Sequence, residues 1–111
     1  MKTTVIFRKE SNGDIVAFFP YDIATHIGDI TCYAHIGQHS AASLDYYLST
    51  KPASLLEAWN LFVELTNSVG YDLIIHTRIN YRLYVNAYRH LFDLPLISKD
   101  NDRSIKTCNL K

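Results

Sequence analysis

The chain has 111 residues, of which 48% are hydrophobic and 20% charged, and its formal net charge at pH 7 is zero. These values are typical of a globular domain and argue against wholesale disorder. A net charge of zero excludes a global field that would recruit nucleic acid or an anionic membrane surface. The length suits one domain. We expect residues 1–97 to form it and residues 98–111 to be a polar, flexible tail.

The chain carries no sign of a membrane segment, a secretory signal or a metal knuckle. No apolar run reaches the ~20 residues of a membrane helix. The apolar run that begins at Val5 ends at Arg8, too soon for the apolar core of a signal peptide. Cys32 and Cys108 belong to no C-x-x-C pair. We therefore expect a soluble protein of a reducing, intracellular setting, without membrane contact, metal or cofactor.

The first two predicted strands form a hairpin. Thr4–Lys9 and Asp14–Phe19 are rich in β-branched and aromatic residues, and Asn12 and Gly13 stand between them. Asn-Gly is a strong hairpin signal because both residues tolerate positive φ. Pro20 is expected to end the second strand, since proline has no N–H to donate to the ladder.

A third strand is predicted over Ile30–Ile36, with Tyr33 and His35 on one face and Cys32 on the other. The residues 37–40 that follow predict a turn that opens a short helix, with Ser40 as its N-cap.

A longer helix is predicted from Ser54 to Ser68. Ser54 and Glu57 have the spacing of a capping box, and Gly70 suits a left-handed helix end. One apolar stripe of this helix is expected to face the core, and its members are Leu55, Ala58, Trp59, Phe62 and Leu65.

A strand over Tyr71–Ile79 and a helix over residues 80–92, ended by Pro95, complete the predicted elements. Their order is β-β-β-(short α)-α-β-α. That order predicts the α+β class, as a small antiparallel sheet with helices packed on one face in a two-layer sandwich.

The first candidate site is a ligand-binding cluster near the end of the third strand, and its residues are His35, Gln38, His39 and Ser40. Exposed N–H groups at a helix start attract phosphate or carboxylate. His39 is the best general-base candidate because histidine titrates near neutrality. A tight turn with a satisfied cap is the simpler alternative.

Metal binding and catalysis receive less support from the same residues. His35 and His39 have the spacing of two ligands on a helix, but Gly37 lies between them and no third ligand is supplied. The chain has no G-x-S-x-G elbow and no paired carboxylates. We therefore assign no catalytic residue and no metal ligand.

The second candidate site is a protein interface on the last predicted helix, formed by Tyr81, Arg82, Tyr84, Tyr88 and Arg89. Tyrosine and arginine are the common energetic anchors of protein interfaces. The same residue types also bind single-stranded nucleic acid, because arginines contact phosphates and aromatic rings stack on bases. A third alternative is that the tyrosines face the core.

Four blocks of the chain resemble a small protein family encoded by bacteriophages and mobile elements of gut-type bacteria. The blocks are Thr4–Lys9, Gly13–Pro20, Tyr33–Ala41 and Pro52–Leu73. The resemblance covers residues 3 to about 78. It implies a phage setting, and with it the cytoplasm of a bacterial host, but no activity, since the family's function is uncharacterised.

The leading hypothesis is therefore a small, non-enzymatic accessory protein that binds a host or phage protein and forms a homodimer or another homo-oligomer. About 110 residues can present a standard interface more readily than a deep active site. The alternative is a protein that binds or hydrolyses a nucleotide or another phosphorylated molecule at residues 37–40. Single-stranded nucleic-acid binding is the third hypothesis.

Overall fold

The computed structural model describes residues 2–34 and 38–97. Six strands, three α-helices and one π-helix follow one another along these residues. In chain order they are β1 (Lys2–Lys9), β2 (Ile15–Ile23), β3 (Ile30–Ala34), β4 (Gln38–Ala42), α1 (Leu44–Ser49), β5 (Lys51–Pro52), α2 (Leu55–Val63), the π-helix (Glu64–Val69), β6 (Asp72–Ile75) and α3 (Tyr81–Leu91).

The chain divides into two compact units between Ile79 and Asn80. The first contains every strand together with α1, α2 and the π-helix, and the second begins at the N-cap of α3. The single domain predicted for residues 1–97 stays a prediction. The predicted tail over 98–111 lies outside the described residues.

The first unit is an open, mostly antiparallel sheet with the order β4-β3-β2-β1-β5. Strand β6 runs parallel to β1. Phe7 and Val5 of β1 accept N–H bonds from Ala53 and His76 respectively. Carbonyls two residues apart point to the same side of a strand, so β5 and β6 share one edge of β1. These elements confirm the predicted α+β class.

The predicted hairpin is confirmed. Strands β1 and β2 pair antiparallel from Ile6↔Phe18 to Lys9↔Ile15, and Gly13 in the turn has a φ of 94°. Pro20 does not end the second strand, contrary to the prediction, because β2 continues to Ile23. The register between β2 and β3 shifts after Phe19, and at such an irregularity a missing N–H interrupts no regular ladder.

The core lies on the face of the sheet that α2 covers. Alternate residues of three strands and three residues of the helical segment form it, namely Val5, Phe7, Ala17, Phe19, Tyr33, Ala58, Leu61 and Leu65. The core lies on this face because α2 packs against it.

The short helix α1 lies on the other face of the sheet. The Tyr47 ring of α1 lies edge-on to Phe18 at 5.1 Å between centroids, and Phe18 points to the opposite face from Phe19. The structure thus adds to the predicted packing of helices on one face a short helix on the other.

The prediction of a turn that opens a helix at Ser40 is wrong. Gln38–Ala42 is strand β4, which pairs antiparallel with β3 along all five of its residues. The short helix begins at Leu44, after Ser43, whose side chain accepts the N–H of Tyr46. Pairing with the open edge of β3 satisfies backbone groups that a turn would leave to solvent.

The capping box of α2 is confirmed, since Ser54 Oγ accepts the N–H of Glu57 and Glu57 Oε1 accepts the N–H of Ser54. Gly70 ends the helical segment at a φ of 99°, as predicted. The predicted core stripe is only partly confirmed. Ala58 is buried, whereas half of the Trp59 side chain is exposed.

The second unit is built around α3. The Asn80 side chain caps the helix by accepting the N–H groups of Arg82 and Leu83. The segment after the helix is tied back to it by Asn86, whose side chain donates to the Ile97 carbonyl at 2.9 Å and accepts the Ile97 N–H at 2.6 Å. The predicted helix over residues 80–92 is thus confirmed with slightly shorter bounds.

Among the helices described, none combines the length and the apolar character that crossing a membrane requires.

Candidate functional site

A cluster of aromatic rings surrounds His39 on the face of the sheet that α2 covers. We define the His39 cluster as Phe19, Tyr33, His39, Glu64 and Tyr71. His39 lies opposite Tyr33 in the β3–β4 pair, and their ring centroids are 4.9 Å apart in an edge-on arrangement. The Tyr71 ring stacks on Phe19 at 4.9 Å, and its Oη lies 2.9 Å from Nε2 of His39.

Two members of the His39 cluster, Phe19 and Tyr33, are buried. The Oη of Tyr33 donates to Oε2 of Glu64 at 2.5 Å. This hydrogen bond to Glu64 is the largest of the effects that raise the pKa of Tyr33, followed by burial. Burial, together with the charge of Asp22, raises the pKa of Tyr71. Both phenols are therefore protonated at neutral pH. Tyr33 donates to Glu64, and the direction of the bond between Tyr71 and His39 depends on the tautomer of His39.

The π-helix shapes this cluster at both of its ends. Glu64 is its first residue, and the N–H groups of Gly70 and Tyr71 both bond to the Leu65 carbonyl at its far end, at 3.0 and 2.9 Å. The π-helix ends at Gly70, which has a left-handed conformation, and the chain then brings Tyr71 over the sheet. Short π-helical turns are frequent at functional sites.

The structure describes two of the four predicted ligand-binding side chains, those of His39 and Ser40, and the ligand-binding role of the four residues stays a prediction. His39 and Ser40 point to opposite faces of β4, and Ser40 Oγ lies 3.1 Å from Sγ of Cys32. Gln38 contributes its backbone to β4, and its side chain and His35 lie outside what the structure describes. Of the two predicted side chains that are described, that of His39 belongs to the cluster defined above.

Sequence reasoning missed the partners of His39. Tyr71 is 32 residues away along the chain and Glu64 is 31 residues from Tyr33. No local spacing links residues so far apart, and only the sheet register and the π-helix bring them together.

The chemistry available to the cluster is hydrogen bonding, ring stacking and proton exchange. His39 is exposed, so a ligand can reach its ring. Within residues 2–34 and 38–97, no group of three His, Cys, Asp or Glu side chains is placed to hold a metal ion.

A second feature of the first unit is an exposed apolar surface on α2. We define the α2 patch as Leu55, Leu56, Trp59 and Phe62. Leu56 is 88% exposed, and Trp59 is 50% exposed. The rings of Trp59 and Phe62 stack at 5.4 Å with an interplanar angle of 25°. The apolar pattern predicts the opposite for Trp59, a position in the stripe that faces the core.

The predicted protein interface lies entirely on α3, in the second unit. Tyr81 is half exposed, and its ring meets that of Tyr84 edge-on at 6.4 Å. Arg89 Nη1 donates to the Pro95 carbonyl at 3.2 Å. No residue of α3 is fully buried, but the role of Tyr81, Arg82, Tyr84, Tyr88 and Arg89 in binding stays a prediction.

No protein-family model, curated protein or solved structure gives a significant match to this chain. The resemblance to a family of phages and mobile elements therefore stays a prediction.

Proposed function

We propose that this protein is a non-enzymatic binding module, of the phage or mobile-element type, that acts by contacting a host or phage protein through the α2 patch. The observation that carries the proposal is the exposure of Leu56 beside the stacked rings of Trp59 and Phe62. A single exposed leucine is ordinary. A contiguous group that includes a half-exposed tryptophan is typical of an interaction surface.

The α2 patch has the energetic properties of a binding anchor. Full burial of a leucine side chain contributes about 1.5–3 kcal/mol, and tryptophan is among the residues most enriched at binding hot spots. The patch is also held in place before binding. The capping box fixes the start of α2, and Ala58 and Leu61 hold the other side of the helix in the core. Little conformational entropy is therefore lost on association.

The rim of the patch carries few free charges. Lys9 Nζ and Glu57 Oε2 form an ion pair at 2.6 Å at the N-terminal end of the helix, and Asn60 is exposed and neutral. An apolar centre with a polar, charge-balanced rim is the usual anatomy of a protein interface. It differs from the basic surface that nucleic acid requires.

The proposal is tested with a matched pair of substitutions. Leu56→Glu places a charge in the α2 patch, and Leu48→Glu places the same charge on α1, at a leucine that is 61% exposed. Tagged protein and both variants are used to capture partners from nuclease-treated host lysate. We expect the native chain and Leu48→Glu to retain one near-stoichiometric protein, and Leu56→Glu to lose it.

Binding of the captured partner is then measured by fluorescence, because Trp59 is the only tryptophan of the chain. Burial of its half-exposed ring should shift its emission to shorter wavelength. Equal capture by Leu56→Glu and Leu48→Glu, or no change in Trp59 emission on binding, would rule out the α2 patch. In that case Arg82→Glu combined with Tyr88→Ala tests the surface on α3.

A second candidate function is binding of a nucleotide or another phosphorylated small molecule at the His39 cluster. The observation in its favour is an exposed histidine that Tyr71 fixes in orientation, beside the partly exposed ring of Tyr71, on which a base can stack. A thermal-shift screen of nucleotides should then find a stabilising ligand, and His39→Ala should abolish the shift. A screen in which no nucleotide raises the melting temperature would eliminate this candidate.

A further inference from the structure

The two ends of the sheet are protected very differently. At one end, β1 is covered by β5 and β6. The residues of β5 are Lys51 and Pro52, and lysine and proline are the residues that natural proteins use to block strand pairing at an edge. At the other end, β4 pairs with β3 and, within the described residues, with no further strand.

Strand β4 lacks each of these protective features. Its sequence, Gln38-His39-Ser40-Ala41-Ala42, contains no charged residue and no proline. Its pairing with β3 runs without a bulge from Ala34↔Gln38 to Ile30↔Ala42. His39, Ser40 and Ala41 are exposed. The outer edge of β4 is therefore a regular, uncharged row of backbone donors and acceptors, which is the template for addition of a strand.

We infer that this edge binds β4 of a second copy of the chain, so that two sheets join antiparallel across a two-fold axis at Ser40. Two identical strands paired antiparallel are related by such an axis, and each copy presents the same surface. Pairing over the whole strand places Gln38 opposite Ala42 and His39 opposite Ala41. This inference is independent of the α2 patch.

The side chains of β4 favour a second copy as the occupant. An uncharged strand meets itself without the repulsion that like charges opposite one another produce. The small side chain of Ala41 leaves room for His39 of the second copy on the same face. Five residue pairs give a contact well below the standard interface of about 800 Å² per partner, so the dimer forms and dissociates with protein concentration.

The test is sedimentation equilibrium of the full chain from about 10 μM to about 1 mM, a range that brackets a weak dimer. Ser40→Lys places two ammonium groups opposite each other at the axis and should weaken dimerisation by about tenfold or more. Ser11→Lys adds the same charge in the β1–β2 turn, where Ser11 is exposed, and should dimerise like the native chain. Because Ser40 contacts Cys32, Ala41→Lys serves as a second edge variant.

Each result of this series decides the inference. Concentration-dependent dimers of the native chain and Ser11→Lys, with loss of the dimer in both edge variants, support it. A native chain that sediments as a monomer over the whole range overturns it, as does an edge variant that is folded by circular dichroism and dimerises as tightly as the native chain. Leu56→Glu should dimerise normally, and loss of the dimer in this variant would assign it to the α2 patch instead.

Discussion

Replacing Tyr33 by phenylalanine tests the central hydrogen bond of the His39 cluster. The substitution keeps the buried ring and removes only the hydroxyl that donates to Glu64 at 2.5 Å. Hydrogen bonds to charged groups contribute about 1.5–3 kcal/mol. Glu64 is only partly buried and regains some hydration, so we expect a loss near the lower limit, about 1.5 kcal/mol.

The assay is urea unfolding followed by the fluorescence of Trp59, which reports on the first unit. With a slope of about 1.5 kcal/mol per M for a chain of this size, Tyr33→Phe should lower the midpoint by about 1 M. Glu64→Gln keeps an acceptor but removes its charge, so it should cost less, about 0.5–1 kcal/mol. Two results would refute the reasoning. One is a loss of unfolding free energy below about 0.5 kcal/mol in Tyr33→Phe, and the other is a greater loss in Glu64→Gln than in Tyr33→Phe.

The same hydrogen bond predicts a dependence of stability on pH. The pKa of Tyr33 in the folded chain is raised above its ordinary value of 10.0, so folding favours the protonated phenol. The stabilisation is fully present below pH 10 and is lost as the pH rises through the pKa of the folded state. The difference in unfolding free energy between the native chain and Tyr33→Phe should therefore shrink at alkaline pH.

Two further predictions concern the opposite face of the sheet. The guanidinium of Arg8 donates to Oγ1 and the carbonyl of Thr50, at 2.9 and 2.5 Å, and lies over the Tyr47 ring. Arg8→Met should lower the unfolding free energy by about 1–2 kcal/mol in thermal denaturation, and Arg8→Lys should lower it less. Equal stability of the native chain and both variants would contradict this prediction. Burial first, and then the charge of Glu10, raise the pKa of Tyr46 to about 12. An alkaline titration of phenolate absorbance should show a late component that disappears in Tyr46→Phe, whereas identical titration curves would count against that environment.

The sequence predicted the elements whose signals are local. The hairpin at Gly13, the capping box at Ser54 and the helix end at Gly70 each depend on residues within a few positions of one another, and all three are confirmed. The pairing of strands is harder to predict from the sequence. Strand β4 has few β-branched or aromatic residues, so its conformation comes from the edge of β3 and could not be read from its own composition.

The orientation of α2 was predicted only in part, for a related reason. Besides the predicted stripe, the segment carries Leu56, Leu61 and Val63, so the apolar pattern alone does not determine which side faces the core. Ala58 and Leu65 were assigned correctly, whereas Leu55 and Trp59 are largely on the surface. The change from α- to π-helix at Glu64 leaves no mark in the apolar pattern. The His39–Tyr71 contact that it makes possible was therefore invisible in the sequence.

The parallel pairing of β6 with β1 has a consequence for folding during synthesis. Strands β1 to β4 pair with their neighbours in chain order and can associate as soon as they leave the ribosome. The Lys2–Val5 part of the second edge of β1 stays open until Asp72–Ile75 has been made. The core face stays uncovered until Leu61 and Leu65 have been made. Contacts between distant segments are slow to form. The nascent sheet therefore has two open edges for a time, and it is in this interval that the chain is most exposed to mispairing with other chains.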